Sequence, residues 1–416
     1  MRILNVSAQK PDSTGSGVYL AETVRCQLDA GHDAAVIAGV AADDARTLDA
    51  RAAFFPVRFQ TEELPFFVAG MSDRMPYPST RYRDMTPAMV RAFEAAFARA
   101  VDAAVEAFRP DAVLCHHLYL AAAVVRERVA GIPVWALSHS TDLRQMRSHG
   151  LQRERIVAAM RRLDGVCALH EEQKREIAQL YGIDPELIRV VGTGFNASVF
   201  GPEGRTTPPE GPRADLELVY AGKVAFSKGL MPLMAALDRA GASIEARRPD
   251  ACAARPALRL RIAGGVGDRE EYDAIAAAAR ACRYPVEFLG RLAHDELAAV
   301  YRSADAFVLP SFYEGLPLSV VEAIACGCKA VVTDLPGVRP WLSSRMPAAP
   351  VSYVQPPRMR AVDEPCEDDL PAFERALSDA IAGLPDAPDA AVDASALSWE
   401  HVSERIVGLL SSRPTR

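Results

Sequence analysis

Ala306-Phe307-Val308-Leu309-Pro310-Ser311-Phe312-Tyr313-Glu314-Gly315-Leu316-Pro317-Leu318-Ser319-Val320-Val321-Glu322-Ala323 joins a short apolar run to a turn and then to a helix-forming run. The strand-like part ends at Leu309. Pro317 suits the first position of a helix, where its missing N–H goes unused, and Gly327 suits the left-handed residue that closes one. The stretch therefore reads as one strand–loop–helix unit. Its loop carries Glu314, and Glu322 falls on the second helical turn, roughly 7–8 Å beyond Pro317 at 1.5 Å rise per residue. The helix N-terminus offers free N–H groups and partial positive charge, which suit an anion. On spacing alone, a solvated glutamate plus a helix-stabilising one explains the pair equally well.

Working outward, the same unit recurs in both directions. Strand-like runs stand at Glu217–Tyr220, Leu258–Ile262, Val286–Leu289 and Ala330–Val332 in the second half. In the first half they stand at Ile3–Val6, Ala34–Ala38, Ala112–Cys115 and Val134–Leu137. Amphipathic runs lie between them, including Val18–Ala30, stopped by Gly31, and Met89–Phe108. Such alternation with short connections predicts an α/β fold with two Rossmann-like, doubly wound parallel sheets facing a cleft. Ligands are expected beyond the carboxyl ends of the strands. The Pro- and Gly-rich segment Gly201–Pro212 breaks the chain near its middle. We expect residues 1–200 to form one domain, 201–214 a linker, and 215–393 a second domain. A last helix in 394–416 is assigned to the first domain. The Pro-rich, acidic stretch Ala348–Pro371 reads as a surface loop.

The composition narrows the class. Of 416 residues half are hydrophobic and 24% charged, a globular balance, and the net charge of −7 gives no reason to expect nucleic-acid binding. The eight cysteines form no CxxC pair, and Cys326-Gly327-Cys328 has no neighbouring histidine to complete a metal site. They are expected to be reduced thiols, which places the chain in the cytoplasm. The first residues form no charged-then-apolar leader, and no apolar run reaches bilayer-spanning length.

Further strand ends carry chemistry. Tyr220-Ala221-Gly222-Lys223-Val224-Ala225-Phe226-Ser227-Lys228-Gly229 brings two lysines to a loop where they suit a diphosphate leaving group, although two solvated lysines would read the same. Ile262-Ala263-Gly264-Gly265 and Phe288-Leu289-Gly290-Arg291-Leu292 each end in glycine, which turn chemistry alone also explains.

Taken in order with Tyr301-Arg302-Ser303-Ala304-Asp305 and Glu314-x7-Glu322, these motifs make the second half resemble the donor domain of family 4 retaining glycosyltransferases of the GT-B fold. The first half is similar through Asp12-Ser13-Thr14-Gly15-Ser16-Gly17-Val18-Tyr19, Cys115-His116-His117, Ser138-His139-Ser140 and Val190–Asn196. Ser398-Trp399-Glu400 resembles the start of the family's crossing helix. Lys223 departs from the usual Arg and loses bidentate phosphate geometry. Asn196 stands for a usual Asp, and Pro340 for a frequent Glu.

The resemblance implies a donor site in which Glu322 binds the ribose hydroxyls and Glu314 the transferred sugar. Lys223 and Lys228 hold the diphosphate, assisted by backbone groups of Gly315 and Leu316. Gly290, Arg291 and Leu292 face the base, and Gly15 and Gly17 let the first loop approach the diphosphate. His139 lies near the sugar and acceptor; His139, Glu314 and Lys228 are the implied catalytic residues. The implied activity is transfer of a hexose-type sugar from a nucleotide-sugar donor with retained anomeric configuration. The chain has no Asp-x-Asp motif, so neither metal nor other cofactor is expected.

Other readings are weaker. In a dinucleotide fingerprint Leu20 would have to be Gly or Ala, and no acidic residue follows the second strand at Ala38-Gly39. A GT-B epimerase, phosphorylase or hydrolase, or a non-catalytic sugar-nucleotide sensor, would keep the donor motifs.

For an acceptor of unidentified chemistry, the candidates are His116, Arg144 and the Pro-broken stretch Gly70–Arg81, with Asp73, Tyr77 and Arg81. Arg144, Arg147, Arg153, Arg155, Arg161 and Arg162 crowd the region after His139. They form either a solvated basic face or a surface for an anionic acceptor or anionic membrane, with peripheral contact at the inner membrane face. The motifs leave oligomeric state open.

Overall fold

Short apolar strands separated by amphipathic helices assemble into two parallel sheets, each within its own part of the chain. The computed structural model describes residues 1–11, 13–72, 75–205, 215–247, 257–314, 316–361, 364–388 and 392–412. It divides into one unit of Met1–Gly194 with Trp399–Arg416, and another of Phe195–Ser398.

The first unit runs β1 (Arg2–Ser7), α1 (Gly15–Asp29), β2 (Asp33–Ala41), β3 (Ala53–Phe59), β4 (Ala69–Gly70), β5 (Thr80–Arg81), α2 (Pro87–Phe108), β6 (Ala112–His116) and α3 (Leu120–Arg128). It continues with β7 (Val134–Leu137), α4 (Thr141–Ser148), α5 (Arg153–Met160), β8 (Gly165–Ala168), α6 (Glu171–Tyr181) and β9 (Ile188–Val190). The second unit runs β10 (Leu216–Ala221), α7 (Leu230–Glu245), β11 (Leu258–Ala263), α8 (Arg269–Ala281), β12 (Val286–Gly290), α9 (His294–Ser303) and β13 (Ala306–Leu309). It closes with α10 (Leu318–Ala325), β14 (Lys329–Thr333), α11 (Val338–Arg345), β15 (Val351–Val354) and α12 (Leu370–Ala382), after which α13 (Trp399–Ser411) returns to the first unit.

The first sheet has the order β3-β2-β1-β6-β7-β8-β9 and the second β12-β11-β10-β13-β14-β15; β4 and β5 pair separately. All the pairings in both sheets are parallel. Strands sandwiched between helices are apolar on both faces, which is why β2 buries every residue after Asp33. In each sheet the strand order reverses once, between β1 and β6 and between β10 and β13. Ligands of doubly wound sheets bind at such points.

Several local expectations shift for physical reasons. α1 starts at Gly15 rather than Val18, because Thr14 caps it, its Oγ1 accepting from Gly17 N at 3.1 Å. Gly15 and Gly17 are therefore a helical first turn and not a loop. Thr86 likewise caps α2, which begins at Pro87. Pro317 is the residue before α10, outside its first turn. β3 contains Pro56, tolerated because β3 is the sheet edge. The expected loop of 348–371 contains β15, also an edge strand.

Phe195 and Phe200 are buried in the second unit's core, as are Ala394 and Leu397. The chain thus crosses between units after Gly194 and again after Ser398. Phe195 N donates to Leu397 O at 3.0 Å, so the two crossing strands run side by side. Of the expected linker, 206–214 lie outside the described residues.

Candidate functional site

At the carboxyl edge of the second sheet, three loops are laced by backbone hydrogen bonds. Gly222 N donates to Ala263 O at 2.9 Å, Val224 N to Gly265 O at 3.1 Å, and Gly264 N to Gly290 O at 2.7 Å. A Cβ on Gly264 would come 1.7 Å from Gly222 O, so only glycine permits this approach. The loop after β10 also docks on the loop after β13, where Phe312 N donates to Ser227 O at 3.0 Å. Gly229, at φ +67°, fits where any Cβ would meet Pro310 O at 2.0 Å.

This docking brings Lys228 to Glu314 across the reversal point of the sheet. Lys228 Nζ lies 2.7 Å from Glu314 Oε1 and 3.4 Å from Tyr313 O. Both side chains are partly exposed. Glu322, on the face of α10, is different. Burial pushes its carboxyl up to about 7, and no opposing charge among the described residues pulls it back. Its charge in turn adds to the burial that raises the Tyr301 hydroxyl.

Lys223 is exposed, with its stem against Gly267, where a Cβ would lie 1.9 Å from Lys223 Cε. Tyr220 supports that turn by donating to Lys223 O at 2.7 Å. Gly290 and Arg291 are exposed at the end of β12, with Arg291 Nε against Gly265; Leu292 and Leu316 pack on the second core. Gly315 lies outside the described residues.

The first unit gathers histidines at its own reversal point. His116 ends β6 and His139 follows β7. His116 Nδ1 lies 3.2 Å from His139 Nε2, and the two rings are only 12° from parallel. His116 is 2% exposed and His117 3%. Burial pushes His116 down to about 3; burial first, and then the neighbouring imidazoles, hold His139 well below the usual histidine range. These rings are neutral at physiological pH.

Residues that were not among the site candidates hold the cluster. Asp142, fully buried, accepts from Leu118 N at 2.8 Å, Ser138 Oγ at 2.9 Å, Leu143 N at 3.1 Å and His139 N at 3.3 Å. It staples the loop after β6 to the loop after β7. His117 adopts φ +81° and Ser140 φ +68°, conformations that side chains rarely take and that cluster at functional sites. Tyr19, on α1, sets its ring edge against His139 at 5.2 Å and against Trp399 at 4.8 Å, while its hydroxyl donates to Gly192 O at 3.1 Å.

The acceptor candidates do not assemble into one cluster. Asp73 lies outside the described residues. Tyr77 packs on the first core beneath the Lys10 ammonium, which is 5.2 Å from its ring and paired with Asp44. Arg81 is exposed and paired with Asp84 at 2.6 Å. His116 is enclosed and bonds to His139. Arg144 is exposed on α4, but much of the basic run around it is tied internally. Arg147 pairs with Glu176, Arg155 with Glu127 and Glu94, Arg153 donates to His149 O and Arg161 to Tyr181 O. Among the described residues no His, Cys, Asp and Glu group could hold a metal ion, and no helix is long and apolar enough to cross a membrane.

Residues 13–199 match the profile described as Glycosyltransferase Family 4, and residues 216–350 the one described as Glycosyl transferases group 1. The chain is similar to the glycogen synthase of Mycobacterium tuberculosis, 29% identical over 238 residues, covering 56% of this chain and 54% of that one. It is 33% identical over 193 residues to the D-inositol 3-phosphate glycosyltransferase of Pseudarthrobacter chlorophenolicus, covering 45% and 44%. The matches thus span about half the length of these curated relatives. In fold it is similar to Anabaena HepE in complex with UDP and glucose, with a TM-score of 0.59 at 16% identity over 99% of each chain.

Proposed function

Because this chain belongs to the family 4 glycosyltransferases of GT-B fold, we propose that it transfers a hexose-type sugar from a nucleoside-diphosphate donor to an acceptor hydroxyl, with retention and without a metal. The observation that carries this reading is the Lys228–Glu314 pair at the reversal point of the second sheet, one helix away from the half-buried Glu322. A diphosphate arriving there draws the Lys228 ammonium and releases the Glu314 carboxylate to accept from sugar hydroxyls. Glu322 accepts from the ribose hydroxyls. Lys223 adds a second cation at the same edge.

The chemistry proposed is a same-face displacement. The acceptor oxygen bonds to the anomeric carbon on the side from which the phosphate oxygen departs, and the acceptor proton passes to that phosphate. Lys228 and the N-terminus of α10 stabilise the charge that gathers on the leaving group. HepE, similar in fold, holds UDP, which makes a uridine nucleotide the first donor to try.

A thermal-shift screen of UDP-, GDP- and ADP-sugars tests the reading, since a ligand selective for the folded state raises its stability. The matching donor should shift the wild-type protein and leave Glu322→Gln unmoved. Incubation with that donor and candidate acceptors should give a new glycoside whose anomeric configuration matches the donor. An isomerised donor would mark an epimerase, and tight binding without turnover a sensor. Activity should survive EDTA; inactivation reversed by Mg²⁺ or Mn²⁺ would overturn metal independence.

A further inference from the structure

The histidine cluster allows the protons to be placed. His117 Nδ1 is 3.0 Å from the carbonyl oxygen of His116, and a carbonyl only accepts, so His117 carries its proton on Nδ1. His116 and His139 share one contact, Nδ1 to Nε2 at 3.2 Å, and burial keeps both rings neutral. Their centroids are 5.4 Å apart at an angle of 12°, too far for face-to-face stacking. The rings meet edge to edge, nitrogen to nitrogen, with lone pair and N–H aligned.

One of the two nitrogens must donate. His116 Nε2 is buried and has no hydrogen-bond partner among the described residues. If His139 donated, the single proton of His116 would sit on Nε2, leaving a buried N–H with nothing to meet. If His116 donates through Nδ1, its Nε2 keeps only a lone pair. Orphaned buried N–H groups are the rarer and costlier case.

We propose that His116 is a positioning residue that fixes His139 in its Nδ1–H tautomer, so that His139 offers substrate a neutral hydrogen-bond donor rather than acting as a base. This rests on the transferase reading above. It assigns His116 a role behind the substrate and not at it, consistent with its enclosure. Asp142, holding the backbone N–H of His139 and that of Leu118, keeps the two strand ends in register for the contact.

The test is nitrogen NMR of the full chain labelled with ¹⁵N-histidine, the His139 signals being assigned by their loss in His139→Ala. The wild-type protein should show His139 protonated at Nδ1 and bare at Nε2. Protonation at Nε2 instead would overturn the proposal, and this measurement needs neither a variant of His116 nor a substrate. His116→Ala should release the tautomer of His139 and lower turnover about 10- to 100-fold while sparing the donor-induced thermal shift. His116→Asn, whose amide N–H replaces Nδ1–H, should restore the Nδ1–H signal and most of the turnover. Unchanged His139 signals in His116→Ala would equally sink the idea. Because the tautomer is read without ligand, its outcome stands apart from whether a sugar nucleotide binds.

Discussion

The ammonium of Lys228 and the carboxylate of Glu314 stand 2.7 Å apart, on loops that leave adjacent strands at the point where the second sheet reverses its order. Each side chain keeps the other in place while remaining accessible enough to exchange partners. A pair meant only for stability would gain little from this position, because partly exposed ion pairs contribute at most about 1 kcal/mol.

Lys228→Met and Glu314→Gln should therefore separate stability from turnover. Urea unfolding should change by no more than about 1 kcal/mol in either variant. Turnover should fall on the order of 100-fold or more in Lys228→Met, the loss expected when a group facing developing phosphate charge is removed. Equal losses of stability and activity would show a structural pair instead.

Glu322 predicts a pH dependence with a definite sign. Its carboxyl titrates near 7 in the folded protein, above its unfolded value of about 4.3. The folded state thus binds the proton more tightly. Its stabilisation is complete below about pH 4 and lost as pH rises through about 7, by up to on the order of 3 kcal/mol. Glu322→Gln, neutral at every pH, should flatten that decline and unfold at a higher temperature than wild type at pH 8. Parallel pH–stability curves for the two proteins would refute the assignment.

Asp142 has no place in the donor site, yet its loss should be costly. Asp142→Ala leaves Leu118 N, Ser138 Oγ and His139 N without their acceptor in a buried setting. We expect a loss of about 3 kcal/mol in urea unfolding. Asp142→Asn, which still accepts through its carbonyl oxygen, should retain part of it.

His139→Ala should keep the thermal shift given by the donor and lower kcat, and should also lower the Tm of the free protein, because the buried His116 loses its hydrogen-bond partner. A lost donor shift would mean that His139 serves nucleotide binding and not the transferred sugar.

Much of this architecture was legible because parallel sheets demand short, wholly apolar strands, which Ala306–Leu309 and Ala34–Ala38 supply without ambiguity. Edge strands were not legible: Pro56 in β3 and the Pro-rich surroundings of β15 argue against strand locally, and only the free outer edge tolerates them. Gly15 and Gly17 disguised the first turn of α1, whose cap depends on one hydroxyl. At the site, Lys228, Glu314 and Glu322 stood out only through the ordered motifs around them, because a lysine or glutamate alone also reads as a solvated or helix-stabilising charge. Asp142, His117 and Tyr19 did not stand out. Asp142 acts on Leu118, 24 residues upstream, Tyr19 on Gly192, 173 residues downstream, and the positive φ of His117 has no signature in side-chain type.

Finally, α13 completes the first unit with the last stretch of the chain: Trp399 closes over Tyr19, and Glu400 pairs with Arg25 at 2.8 Å. A ribosome delivers that helix only after all of Phe195–Ser398. The unit that begins synthesis first must therefore wait, with the Tyr19 ring uncovered, until the one synthesised later has emerged. Completion of the first unit thus follows synthesis of the second, and a stop codon a few residues before Trp399 would leave the histidine cluster unfinished while sparing every residue in it.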